Sequence, residues 1–534
     1  MTVFDWIIIF VYIAIVIAIG LWASRKQDNM EDYFLGGRSI PWWAASLSLV
    51  ATEISAATFL GAPEQGYTRD LTYLQFAVGS IIARFVLAFV FIGVYYRMRV
   101  FTVYGFLTER FGFPTRNTAA GAFLLGRLFA GGSRLFMAAL ALKVVAGISM
   151  VWSIIILGII AIIYTLYGGI KAVIWTDVSQ AVVLMGGAIA SIWVLLGEIP
   201  LSAGELMTLF NEHEKLRFFD TSWRDANGGL ALFSNAYHFI PAIVGGFFLT
   251  MATHGTDQSM VQRLLTCKDS YRGKISMVSS GFIGIGVTIL FMIVGLLLFA
   301  YVETRPAGDA MLELAQSLKA SGQNGDFYLH YIVHGLPMGI SGIIIASVFA
   351  AAMSSIDSEL NSMSSTFIND FYKPYFKPEG STDAFMKMAK ISTVIIGALL
   401  IFVATLVADF YMKNPETDLL SIALGVMTLF YGGLLGIFLT GLLTRKRGNN
   451  ATNILGMTIS TLVIVLISYK TSLIPAFGLY DPMMPGDIDS FFGWMYHAKL
   501  GWPWFIVIGT CVTVAITLLG RTASAMTLKS EQTS

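Results

Sequence analysis

Thirteen apolar runs recur along the chain, near 4–24, 41–62, 73–96, 118–146, 149–169, 174–197, 230–253, 275–302, 337–366, 386–408, 417–443, 451–470 and 501–520. Each is long enough to cross a bilayer as a helix. Hydrocarbon offers no partner to a backbone N–H or C=O, so a spanning segment must satisfy those groups internally, and runs of this length do so as helices. The repetition therefore predicts an all-α polytopic membrane protein embedded in a lipid bilayer. Composition agrees, since 56% of the 534 residues are hydrophobic and only 13% are charged, well outside the balance of a soluble domain.

Charge placement sets the orientation. No Lys or Arg precedes the first run, while Arg25 and Lys26 follow it, which reads as a retained helix with its N-terminus outside rather than a cleaved signal. With that start, 21 of the 34 basic residues fall in loops on the cytoplasmic side and nine in outside loops. The expected topology is N-outside and C-inside, in the plasma membrane or, in a bacterium, the inner membrane. A net charge of +1 gives no footing for nucleic acid. Cys267 and Cys511 are too isolated for a disulfide or metal motif, and no nucleophile–base or metalloenzyme pattern appears in its required context. The chain reads as a non-enzyme.

The ninth run, Ser341 to Asp370, carries a polar stripe. At ~100° per residue, Ala351, Ser354, Ser355, Ser358, Asn361, Ser362 and Ser365 lie on one face of a helix. Lipid cannot satisfy hydroxyls, so this face looks at protein, a water-filled cavity or an ion. Close helix packing is one reading of any single serine. Two adjacent serines followed by Asp357 and Ser358 also supply the hard oxygen ligands that suit a small cation. Asp357 sits at the edge of the stripe, where it faces either this site or a cytoplasmic vestibule.

Runs two and seven are interrupted. Thr52, Glu53, Ser55 and Thr58 break the second, with Gly61 and Pro63 beyond, and Thr253, His254, Gly255, Thr256 and Asp257 end the seventh. Unwinding there frees carbonyls of the kind that coordinate cations in repeat-built transporters. The interruptions lie five runs apart, and an odd offset inverts topology. This predicts two inverted five-helix units at 41–197 and 230–443, one extra helix within 1–30, and two helices with a short tail at 451–534.

Arg84 and Arg134 fall near mid-span, where a charge needs a carboxylate, a cavity or a substrate. An ion pair with Glu53 is one reading and a role in binding substrate is the other. Gly168 and Gly169 make a turn before run six, and Asp177 follows, either as a helix cap or as part of a site near the serines.

Four stretches, EDYFLGGRSIPWW (Glu31–Trp43), YGGIKAVIWTDVSQ (Tyr167–Gln180), GTDQSMVQRLLTCK (Gly255–Lys268) and AAAMSSIDSELNSMSS (Ala350–Ser365), resemble the sodium/solute symporter family, relatives of the sodium–glucose cotransporters. The resemblance implies a five-plus-five inverted-repeat transporter driven by Na+, one or two ions per cycle. It implies a main sodium site from the carbonyls of Ala51, Ile54 and Ala351 with the hydroxyls of Ser354 and Ser355. A second site, present in some members, would use Asp177, Ser354, Asp357 and Ser358, although Asp357 stands where a Ser or Ala is expected. Sugar-carrying relatives place a Gln at Thr58, a Glu near Ala77, a Lys in the eighth span and a Gln near Leu424. Here no charged residue lies between Ile275 and Tyr301.

Ser55 and Thr58 beside Arg134 instead resemble the hydroxyl-plus-arginine arrangement of relatives that carry carboxylates, including sialic acid. The run Leu60–Tyr67 is similar to the monocarboxylate and vitamin branch. Glu53, Ser55, Thr58, Ser80, Arg134 and Asp257 form the candidate substrate set, because a guanidinium can hold a carboxylate bidentately. The leading expectation is sodium-coupled import of a small carboxylate-bearing solute, with a sugar or polyol as the alternative. A channel or a membrane sensor is the alternative of another class.

Overall fold

The computed structural model describes residues 2–23, 30–166, 169–224, 229–377, 379–413, 419–470 and 499–522. The turn residue Gly168 and the loop residues Arg25 and Lys26 lie outside these. The described chain is almost wholly helical. Its long helices are α1 (Val3–Ala23), the broken pair α2 (Trp42–Glu53) and α3 (Ala56–Thr68), α4 (Gln75–Val90), α5 (Phe113–Ala146), α6 (Met150–Thr165) and α7 (Ile170–Glu198). A second broken pair, α8 (Phe239–Gly255) and α9 (Gln258–Leu265), opens the next series. It continues with α10 (Ser270–Glu303), α11 (Ile340–Thr366), α12 (Thr382–Lys413), α13 (Leu419–Leu443), α14 (Asn450–Ser468) and α15 (Pro503–Leu519).

Nine helices among the described residues are long and apolar enough to span a membrane, and ten when α2 and α3, bent by 61°, count as one. Three shorter apolar helices, Met150–Ile163, Met427–Leu443 and Pro503–Leu519, fall where the remaining three of the thirteen runs were expected. Several ends differ from the hydropathy windows because polar residues extend a helix past its apolar stretch. Thus α7 begins at Ile170, and Asp177 lies beyond its first turn instead of capping it.

Packing is reciprocal between the two halves. The α2/α3 pair packs on α10, and the α8 member of the second pair packs on α4. Likewise α5 contacts α13 while α11 contacts α7, and α5 contacts α12 while α11 contacts α6. Exchanging the first five-helix series for the second reproduces each of these contacts, as an inverted repeat requires. Glycines permit the closest approaches. A methyl group on Gly79 or Gly246 would collide with a backbone carbonyl across the α4–α8 seam, and one on Gly66 or Gly295 would do so across the α3–α10 seam.

The first helix is tied to this core at its outset. Asp5 accepts hydrogen bonds from the backbone N–H groups of Gly339 (2.7 Å) and Gly342 (3.1 Å), so a carboxylate of α1 serves the N-terminus of α11.

Candidate functional site

The first interruption follows from rerouted backbone hydrogen bonds. The Ser55 N–H, which an unbroken helix would direct to Ala51, donates to Glu53, and the Thr58 N–H, due to Ile54, donates to Ser55. Ile54 (ψ 82°) and Ser55 (ψ 179°) leave the helical region. The carbonyls of Ala51 and Ile54 thereby lose their helical donors. Helix α2 lies against α11, with Thr52 Oγ1 3.5 Å from Ser358 Oγ, so the break stands beside the serine stripe. Ser355 donates to the Ala351 carbonyl at 3.1 Å. All of the stripe is buried, and so is Asp357, which is 0% exposed. In this conformation Asp357 faces the protein interior.

Asp177 gathers the neighbouring hydroxyls. Its Oδ1 accepts from Ser354 at 2.5 Å, and its Oδ2 accepts from Ser48 at 2.5 Å and from Arg263 at 3.0 Å. Arg263 also donates to Ser48 at 2.8 Å and to Ser358. Arg263, one of the 21 basic residues counted above in cytoplasmic loops, is instead drawn into the core by α9 and is 1% exposed. The four-residue set therefore comes together as Asp177, Ser354 and Ser358 around Arg263, while Asp357 bonds only the adjacent Ser358 N–H, at 2.8 Å.

On the other side of the break lies a cavity of about 160 Å³ lined by Glu53, Ser55, Thr58, Ser80, Arg84 and Arg134, with Tyr73, Phe76 and Met427 among its apolar walls. Five of the six candidate substrate residues share this wall. Asp257 does not. It is fully buried at the second interruption, where it accepts from the Ser259 N–H at 2.8 Å, from Arg127 at 2.6 Å and from Tyr431.

The two mid-span arginines have different partners. Arg84 binds Glu53 at 2.5 Å and Ser280 at 2.7 Å. Arg134 binds Glu359 at 2.8 Å, and Arg127 reaches the same oxygen at 3.2 Å. An Arg134–Glu53 pair is thus replaced by two separate pairs. Arg134, Glu359, Arg127 and Asp257 form one chain of two positive and two negative charges, closed to water except at the cavity end, where the Arg134 side chain is 8% exposed. Glu359, Tyr431 and the buried role of Arg263 were missed by sequence reasoning. The available signal was a charged group within or beside an apolar run, which by itself calls for a partner.

A model of the sodium:solute symporter family matches residues 33–459. The chain belongs to the sodium:solute symporter family. Within that family it is 30% identical over 478 residues to the sodium/sialic acid symporter SiaT of Proteus mirabilis (strain HI4320), covering 88% of this chain and 90% of that one. It is 29% identical over 476 residues to the sodium/sialic acid symporter NanT of Aliivibrio fischeri (strain ATCC 700601 / ES114), covering 88% of each. Among solved structures, the substrate-bound outward-open state of a Na+-coupled sialic acid symporter superposes with a TM-score of 0.78 at 25% identity, covering 97% of both chains.

Proposed function

We propose that this protein is a sodium-coupled symporter that imports a small carboxylate-bearing solute, sialic acid or another organic acid, by alternating access. Arg134 carries the reading: its guanidinium is the part of a buried four-charge chain that opens into the cavity, beside Ser55 and Thr58. Its Nη1 is held by Glu359, and its Nη2 lies 4.0 Å from the Met427 sulfur on the cavity wall, a weak acceptor that a substrate carboxylate would displace. The names of SiaT and NanT support the same substrate class.

In this reading the main sodium site is formed by Ala51, Ile54, Ala351, Ser354 and Ser355. It abuts the cavity through the shared Ile54–Ser55 break, which couples ion and solute. Residues 41–197 and 230–443 are the two repeats, and the chain lies in the plasma membrane with its N-terminus outside and C-terminus cytoplasmic. No step calls for catalysis. The test is uptake into proteoliposomes of sialic acid, short organic acids, sugars and polyols, with sodium replaced by potassium. Sodium-dependent accumulation of an acid is expected; accumulation of a neutral sugar alone would overturn the substrate assignment.

A further inference from the structure

We infer that the cavity is built for a small zwitterion, taking the solute's carboxylate at Arg134 and its ammonium at the open oxygen of Glu53. The inference rests on the carboxylate-symport reading and narrows its substrate class. It begins with how Glu53 is held. Both close contacts of its carboxylate fall on one oxygen: Oε2 accepts from Arg84 at 2.5 Å and lies 3.7 Å from His254 Nε2. Oε1 accepts no hydrogen bond among the described residues, and the side chain is 33% exposed where it lines the cavity. An ionised carboxylate offers about four lone-pair sites. The side toward Arg84 is taken, and the side toward the cavity is open.

That open oxygen selects among carboxylates. Arg84 offsets Glu53, and Arg127 with Arg134 offsets Asp257 with Glu359, so the paired walls do not call for a net anion. A solute that carried only a carboxylate would bring a second anion into the space Glu53 faces. Once water is expelled it would also leave Oε1 without a donor, and an acceptor buried without a partner is costly. An ammonium group removes both penalties with a charge-assisted hydrogen bond. A hydroxyl would satisfy the same oxygen less strongly.

Size points the same way. The cavity, about 160 Å³, is close to the ~150 Å³ that holds benzene and well below the ~300 Å³ at which pockets for drug-sized ligands begin. A short amino acid fits that space better than a bulky sugar acid does. Tyr73, Phe76 and Met427 give it apolar walls suited to a short hydrocarbon stem. The two poles stand on different elements, Glu53 at the end of α2 and Arg134 on α5. A zwitterion that spans them ties the end of α2 to α5, and so steadies the Ile54–Ser55 break whose carbonyl belongs to the proposed main sodium site.

The experiment measures sodium-dependent uptake and affinity of matched solutes with the full-length protein in proteoliposomes: alanine and β-alanine against propionate and lactate, γ-aminobutyrate against butyrate, with sialic acid and glucose alongside. The best amino acid should bind about tenfold more tightly than its amine-free counterpart and than sialic acid, with lactate between. Glu53→Gln alone strands Arg84, so the mutational arm uses Glu53→Gln together with Arg84→Gln, in which the preference for the amino acid should fall to parity. If that variant does not fold, the matched solutes decide the question without it. Equal or tighter sodium-dependent binding of propionate, butyrate or sialic acid, or an undiminished preference in the folded double variant, would overturn the zwitterion and leave carboxylate symport standing. Sodium-dependent uptake of glucose alone would overturn carboxylate symport itself.

Discussion

Arg134 binds Glu359 at 2.8 Å, so the one guanidinium shared by the cavity and the buried charge chain is held in place before any solute arrives. Prior alignment lowers the ordering penalty of binding. It also means that the arginine is not waiting for a counter-charge in order to be stable.

Replacing Arg134 should remove the solute and lower the stability of the fold, since Arg127 alone is then left to compensate both Asp257 and Glu359. In Arg134→Ala, Glu359 keeps Arg127 at 3.2 Å. Apparent affinity for the carboxylate should fall about 100-fold, equivalent to about 2.7 kcal/mol. Sodium-induced thermal stabilisation should persist, because the proposed ion ligands sit on α2, the break after it and α11. Arg134→Lys should recover only part of the affinity, since a point charge lacks the planar fork. Uptake of the acid at the parental rate by Arg134→Ala would return a sugar or polyol to first place.

The Glu53–Arg84 pair predicts a different pattern. Glu53→Gln leaves the buried Arg84 guanidinium without its carboxylate, a loss of about 3–5 kcal/mol, and should express poorly, whereas Arg84→Gln leaves Glu53 one-third exposed at the cavity and should cost less. The double variant should recover most of the folded yield measured by size-exclusion fluorescence. Transport by that double variant at the parental rate would remove Glu53 from the substrate set.

Asp177 and Arg263 should behave as a coupled pair. Asp177→Asn strands a guanidinium among Ser48 and Ser358, whereas the double variant with Arg263→Gln relieves it. Folded yield should follow that order. If Asp177 also supplies charge to a second sodium, the double variant will move one ion fewer per solute; an unchanged ratio would mark the pair as structural.

Ser355→Ala deletes a hydroxyl from the proposed main sodium site. Half-saturating sodium should rise at least tenfold, about 1.4 kcal/mol, with the solute's saturating rate approached only at high sodium. A wild-type sodium curve for both Ser354→Ala and Ser355→Ala would displace the main site.

The interruptions were legible in the sequence because Thr, Glu and Ser inside an apolar run contradict their surroundings. The serine stripe was legible for the same reason, through helical periodicity. Pairing was not. Glu359 sits in the stripe's own run, and only the approach of α5 to α11 brings it to Arg127 and Arg134. Arg263 looked like a loop residue because α9 is short and polar, and its burial depends on the return of that helix into the core.

The glycine seams bear on how such a molecule moves. Where backbone touches backbone, as at Gly79 and Gly246 or at Gly66 and Gly295, two helices cannot slide without steric collision. So α4 travels with α8, and α10 with α3. Rotation must be taken up at the two places where the chain has already left helical geometry, Ile54–Ser55 and Thr256–Asp257. A bulky residue at Gly79 or Gly66 would therefore splay a lever arm and leave these breaks intact.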